Sequence, residues 1–223
     1  MIEPLILTLK VAGLATLAAL FSGVSIAYFL ARFRFFGREW LDAALTLPLV
    51  LPPTVMGYYL VVLLGRNGIL GRPLDEIFGL TLMFTWQGAV VASAIVSFPL
   101  VYKAARTAFS ELDKNLENAA RTLGLGEIAV FFRISLPLAL PGIISGAMLA
   151  FARAMGEFGA TLMIAGNQPG KTQTLSLAVY SAVQAGDDHK AAFLTAVASI
   201  TSILVLVASA RVFSSRHKKE TRL

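Results

Sequence analysis

Few side chains in this sequence are placed to do chemistry, and each has a plain structural use as well. Arg153 and Glu157 stand four residues apart near the end of an apolar run, the spacing that puts two side chains on one helix face. Charges at that depth either pair with each other or line a wet cavity. Two readings follow: a local ion pair that holds the helix end, or, with Phe158 and Gly159 beside it, part of a gate. The run Ala165-Gly166-Asn167-Gln168-Pro169-Gly170-Lys171-Thr172 fits a relaxed phosphate-binding loop. Such a loop follows a strand and opens a helix, with its backbone N–H groups around the phosphates. Here the preceding segment reads as the end of an apolar helix, and Pro169 has no N–H to offer. Nucleotide binding is therefore not expected. His189 and His217 are isolated, the chain has no cysteine, and no HExxH, GxSxG or paired-carboxylate arrangement occurs. The expectation is no catalytic residue, no metal site and no cofactor.

What remains is a hydrophilic stretch, Glu111 to Pro137, between two long apolar runs. Asp113 is placed as a helix N-cap with helix formers behind it. Leu112, Leu116, Ala119, Ala120 and Leu123 recur at helical spacing and predict one apolar ridge. Gly124 ends that helix at a position that favours positive φ. Glu127 to Ser135 predicts a second short helix, and Pro137 begins the next element. The product is a short helix–turn–helix with an apolar ridge. It reads either as a surface helix packed on its own protein or as a docking element.

The elements that must position these groups are membrane spans. The 223 residues are 57% hydrophobic and only 14% charged. Their mean hydropathy is +0.73. A soluble domain of this size needs far more charge to cover its surface. An all-α membrane protein of about five transmembrane helices is expected, as one domain over 1–223. The spans are placed at about 5–30, 41–64, 82–102, 138–155 and 191–212. The second carries Pro48, Pro52 and Pro53 and predicts a bent helix. Residues 172–185 are too few to cross a bilayer and predict a short outer or re-entrant helix. In the fourth span Gly142, Ser145, Gly146 and Ala150 supply a small face for close helix contact.

The net charge of +6 suggests nucleic acid until the charges are placed. With five spans, 13 basic residues fall on one side: Arg32, Arg34 and Arg38, then Lys103, Arg106, Lys114, Arg121 and Arg133, then Arg211, Arg216, Lys218, Lys219 and Arg222. Five fall on the other: Lys10, Arg66, Arg72, Lys171 and Lys190. The positive-inside rule then puts the N-terminus outside, the C-terminus in the cytoplasm and the 111–137 loop in the cytoplasm. A lipid bilayer, not nucleic acid, accounts for the basic residues.

The order Asn118-Ala119-Ala120, three residues, Gly124, nine residues, Ile134-Ser135-Leu136-Pro137 resembles the cytoplasmic EAA loop of permease subunits in ABC importers. Asn118 holds the position of the pattern's Glu, and Glu117 lies one residue earlier, so which carboxylate meets the partner stays open. The stretches 47–71, 119–124, 134–144 and FARAMGEFGATLMIAGN (151–167) extend the resemblance to the molybdate permeases of molybdenum-importing ABC systems. Sulfate and tungstate permeases share much of the pattern. The resemblance implies the type I ABC importer permease fold and a place in the cytoplasmic (inner) membrane. It implies a homodimer with a second copy of itself, two cytoplasmic ATP-binding subunits that supply ATP hydrolysis, and an external oxyanion-binding protein. It also implies that Glu117, Ala119, Ala120, Gly124, Ile134, Leu136 and Pro137 form the ATPase-coupling surface. A stand-alone secondary transporter would show internal repeats and ionisable residues near mid-membrane, and neither is evident.

Overall fold

A computed structural model describes residues 2–33 and 35–220, with side chains described as far as Val207. Arg34, Arg222 and the side chains of Arg211, Arg216, Lys218 and Lys219 lie outside the described residues, as does the side-chain packing of the 208–212 end of the fifth expected span. The described chain is helical: α1 (Glu3–Arg32), α2 (Arg38–Val50), α3 (Pro53–Leu64), α4 (Gly71–Phe78), α5 (Trp86–Ser110), α6 (Lys114–Thr122), α7 (Glu127–Val130), a π turn (Phe131–Ser135), α8 (Leu136–Met155), α9 (Gly159–Ala165), α10 (Leu175–Gln184) and α11 (Asp188–Glu220).

The core is the packing of α1, α5 and α8. Small residues set its spacing. A Cβ on Gly146 would sit 2.6 Å from the Ala104 Cβ and 3.1 Å from the Leu100 carbonyl, and one on Gly142 would sit 2.8 Å from the Ala108 Cβ. Two glycines four residues apart thus let α8 lie directly on α5, the close approach by which helices associate in lipid. Ala27, Leu30, Tyr102, Ala105, Phe109, Ala139 and Ile143 fill the space where the three helices meet.

Among the described residues, four helical stretches are long and apolar enough to cross a membrane, and the pair α2–α3 supplies a fifth if taken as one span. That pair differs from the bent helix expected over 41–64: α2 and α3 meet at 115°. Pro52 and Pro53 each disfavour the helical region at the residue before them, and Leu51 (ψ 142°) and Pro52 (ψ 141°) are both extended, whereas Pro48 stays inside α2. Two consecutive extended residues break the helix instead of bending it.

The fourth expected span also differs at its start. Glu127–Met155 is one continuous apolar stretch of 29 residues, and Pro137 lies inside it. The Leu136 N–H reaches back to the Phe131 carbonyl, the wider π spacing. A π turn ahead of a proline opens the helix where the ring would otherwise strike the preceding turn. The second short helix therefore runs into α8 without a break.

α10 has 10 residues. At about 1.5 Å per residue it falls well short of a bilayer core. Leu175, Ala178 and Ala182 pack on Ala191 and Leu194 of α11. The Leu175 N–H donates to Thr8 Oγ1 on α1 at 2.8 Å. The segment 65–81 carries the short helix α4, whose Ile77 and Phe78 are exposed.

Candidate coupling and gate sites

α6 starts at Asp113, whose carboxylate accepts the Asn115 N–H at 2.9 Å. It ends with two crossed hydrogen bonds: Gly124 N–H to the Arg121 carbonyl (2.9 Å) and Leu125 N–H to the Ala120 carbonyl (3.2 Å). Gly124 has φ 84°. This is the Schellman arrangement, which needs a left-handed residue at that position. A Cβ there would meet no atom within 4 Å, so the demand for glycine comes from the backbone and not from crowding.

The ridge predicted from spacing is split. Ala120 faces inward, together with Glu117, while Leu116, Ala119 and Leu123 are exposed, Leu123 at 84%. A carboxylate takes the inner face because its partners wait there. Arg32 Nη2, at the end of α1, donates to the Glu117 carboxylate. Ser135 Oγ, in the π turn, donates to the same oxygen at 2.6 Å. Arg32 also reaches Ser135 Oγ at 3.2 Å and lies 5.0 Å from the Tyr28 ring centroid. Glu117 is 3% exposed, so this three-way contact largely excludes water.

Asn118, at the pattern's Glu position, faces out and accepts from Arg121 Nη1 at 2.8 Å. Arg121 bridges the turn to Glu127 through two bonds, 2.6 and 3.1 Å. That fork spans the turn between α6 and α7. Ile134 and Leu136 are half-buried and Pro137 is exposed. Ile128 and Phe132 are exposed on the second arm.

Sequence reasoning missed two groups. Arg32 counted only as a basic residue; nothing in its spacing marks a partner 85 positions away. Asp42 counted for nothing, yet it is a hub. It accepts from Tyr102 Oη at 2.6 Å and Lys103 Nζ at 2.9 Å, and it pairs with Arg106. The available signal was a lone acid opening an apolar run, opposite a Tyr-Lys-x-x-Arg cluster that closes another.

At the far end of α8, Arg153 Nη1 donates to Glu157 Oε2 at 2.7 Å. The other Glu157 oxygen accepts the Ala160 N–H at 2.9 Å. Glu157 is 2% exposed. It therefore ties Arg153 to the first turn of α9. Phe158 meets Tyr180 of α10 with ring centroids 5.1 Å apart. Gly159 abuts the α2–α3 break, where an added Cβ would lie 2.8 Å from the Pro53 Cβ.

The 165–172 run follows helix α9 and not a strand. The N–H groups of Lys171, Thr172 and Gln173 all donate to the Gln168 carbonyl. Donors turned onto one carbonyl are not offered to phosphates. Among the described residues no group of three or more His, Cys, Asp or Glu is placed to share a metal ion.

The described residues form a bundle of apolar helices that carries a short polar helix pair, tethered from behind and apolar in front. Residues 23–219 match the family described as binding-protein-dependent transport system inner membrane component, and the chain belongs to that family. It is similar to the molybdenum transport system permease protein ModB of Escherichia coli (strain K12), 48% identical over 208 residues, covering 93% of this chain and 91% of that protein. It is 38% identical to the sulfate transport system permease protein CysT of Salmonella typhimurium (strain LT2), over 86% of this chain and 70% of that protein. Its fold matches a chain of the MetNI methionine ABC transporter in an inward-facing conformation, with a TM-score of 0.73 at 16% identity, over 96% of this chain and 95% of the other. The fold is that of type I ABC importer permeases.

Proposed function

We propose that this chain is the permease subunit of an ABC importer that carries molybdate across the inner membrane. It works as a homodimer with two cytoplasmic ATP-binding subunits and takes its anion from an external binding protein. The N-terminus lies outside and the C-terminus in the cytoplasm. ATP hydrolysis is supplied by the partner subunits, a division supported by the inward-turned donors of the 165–172 run. The reading of the substrate rests on the 48% identity to a molybdenum permease against 38% to a sulfate permease. Sulfate stays as the second reading on the strength of that same relative, and tungstate shares the chemistry.

The observation that carries the coupling role is the division of α6. Its carboxylate is locked inward by Arg32 and Ser135 while Leu116 and Leu123 face out. A polar segment that spends a buried charge on its own anchorage and exposes leucines offers an apolar surface to another protein. When ATP closes the partner pair, α6 moves with its groove and the permeases exchange inward-open and outward-open states. Arg153, Glu157, Phe158 and Gly159 sit where α8, α9, α10 and the α2–α3 break converge, which supports a place in the gate.

The test is co-purification of the ATPase subunit and uptake by proteoliposomes fed with the binding protein. Leu123→Asp and Ala119→Arg are expected to lower both while membrane insertion persists. Unchanged association and uptake in both variants would remove the coupling assignment. Uptake driven by sulfate-loaded and not molybdate-loaded binding protein would move the substrate to the second reading.

A further inference from the structure

We propose that the cavity between α1, α2, α5 and α6 holds the phosphate of an anionic phospholipid. The cavity measures about 590 Å³ and is lined by Arg32, Arg38, Phe109, Ser110, Lys114 and Glu117, among others. Three cations face one carboxylate, and that carboxylate is already taken by Arg32 and Ser135. Arg38 and Lys114 form no salt bridge among the described residues. The Arg38 Nε is buried and has no hydrogen-bond partner among the described residues. A buried guanidinium donor left unpaired is costly, so an acceptor belongs there. The surplus of positive charge makes that acceptor an anion, and phosphate oxygens match the guanidinium fork.

Size and setting identify the source of the phosphate. The cavity is much larger than a free oxyanion and accommodates a phosphoglycerol headgroup. The residues that bracket Arg38 are aromatic and turned outward: Phe36 is fully exposed and Trp40 is 82% exposed. Exposed aromatic rings next to basic residues mark the level of the headgroups. Basic pockets between spanning helices take anionic headgroups at that level. Only the assignment to the cytoplasmic leaflet rests on the orientation proposed above. Because Lys114 and Glu117 belong to α6, a bound headgroup braces that helix against α1 and α2.

Native mass spectrometry of the purified chain, extracted from bilayers containing phosphatidylglycerol and phosphatidylcholine, tests this. The expected result is preferential retention of phosphatidylglycerol. Arg38→Gln is expected to reduce that retention about fivefold, the equivalent of about 1 kcal/mol for one basic residue near the membrane surface. Arg38→Lys should fall between the two. Lys114→Gln, on an exposed position, should reduce retention independently if Arg38→Gln folds poorly. Equal retention of the two lipids would overturn the proposal. So would displacement of the bound lipid by inorganic phosphate, which would make the site one for free anions. Loss of the lipid on adding the ATPase subunit would assign the cavity to that partner and overturn it likewise.

Discussion

Glu117 on α6 and Arg32 at the end of α1 lie 85 residues apart in sequence and meet in an ion pair whose carboxylate is buried, with Ser135 donating to the same carboxylate oxygen. A loop between spans is usually held by its two ends alone. Here it is also held at its middle, to a helix that adjoins neither end.

The strength of that tether is measurable. Glu117→Ala leaves Arg32 partly solvated but removes a buried acceptor, and should cost about 1–3 kcal/mol in thermal unfolding of the purified subunit. A double-mutant cycle with Arg32→Ala should give a coupling energy of about 0.5–3 kcal/mol. A coupling energy of zero would mean that the pair does not hold α6 in the membrane-embedded protein.

Gly124 tests the turn. With φ 84°, any Cβ strains the backbone although space is open. Gly124→Ala should lose about 1 kcal/mol, and Gly124→Val more. The Arg121–Glu127 fork should loosen in both. Reduced ATPase co-purification with normal membrane insertion is the expected outcome, and undiminished association would separate the turn from docking.

Glu157 separates a structural role from a gating one. Gln at 157 keeps an acceptor for the Ala160 N–H and loses only the charge; Ala loses both. Stability should fall in the order wild type, Glu157→Gln, Glu157→Ala, with the last step about 1–3 kcal/mol for the orphaned N–H. If Glu157→Gln folds as wild type and still abolishes uptake, the charge works in the gate. Uptake that follows stability alone would reduce the pair to a brace.

Lys171 supplies a control. The loop that carries it turns the N–H groups of residues 171, 172 and 173 onto the Gln168 carbonyl and forms no phosphate cradle for the side chain to serve, so Lys171→Ala should leave ATP hydrolysis by the assembled complex near its normal rate. Loss of hydrolysis in an intact complex would revive the phosphate-loop reading.

Orientation can be read by labelling, since the chain contains no native cysteine to interfere. Leu70 and Ile128 are both exposed, at 52% and 77%. A cysteine at 70 should react with an impermeant reagent applied outside, and one at 128 only after the membrane is opened. The reverse pattern would invert the topology.

The parts legible in the sequence were those set by local pattern. Apolar length gave the long helices, Asp113 and Gly124 gave both ends of α6, and the shortness of 172–185 gave α10. The parts that were not legible depend on which distant groups meet. Spacing put Ala120 and Leu123 on one ridge, but a buried carboxylate with two donors outweighed the apolar side chains and turned the helix toward Glu117. Proline positions told that 41–64 could not be straight, yet only two consecutive extended residues made the break as sharp as 115°. Pro137 read as a beginning because the π turn that accommodates it leaves no mark in composition.

The unbroken rod from Glu127 to Met155 has a mechanical consequence. Gly146, where an added Cβ would lie 2.6 Å from the Ala104 Cβ of α5, stands 19 residues from one end and 9 from the other. At about 1.5 Å per residue the two arms measure roughly 28 and 14 Å. Rocked about that contact as a bar, it would deliver at the Arg153 end about half the displacement applied beside α6, in the opposite sense and with the force doubled.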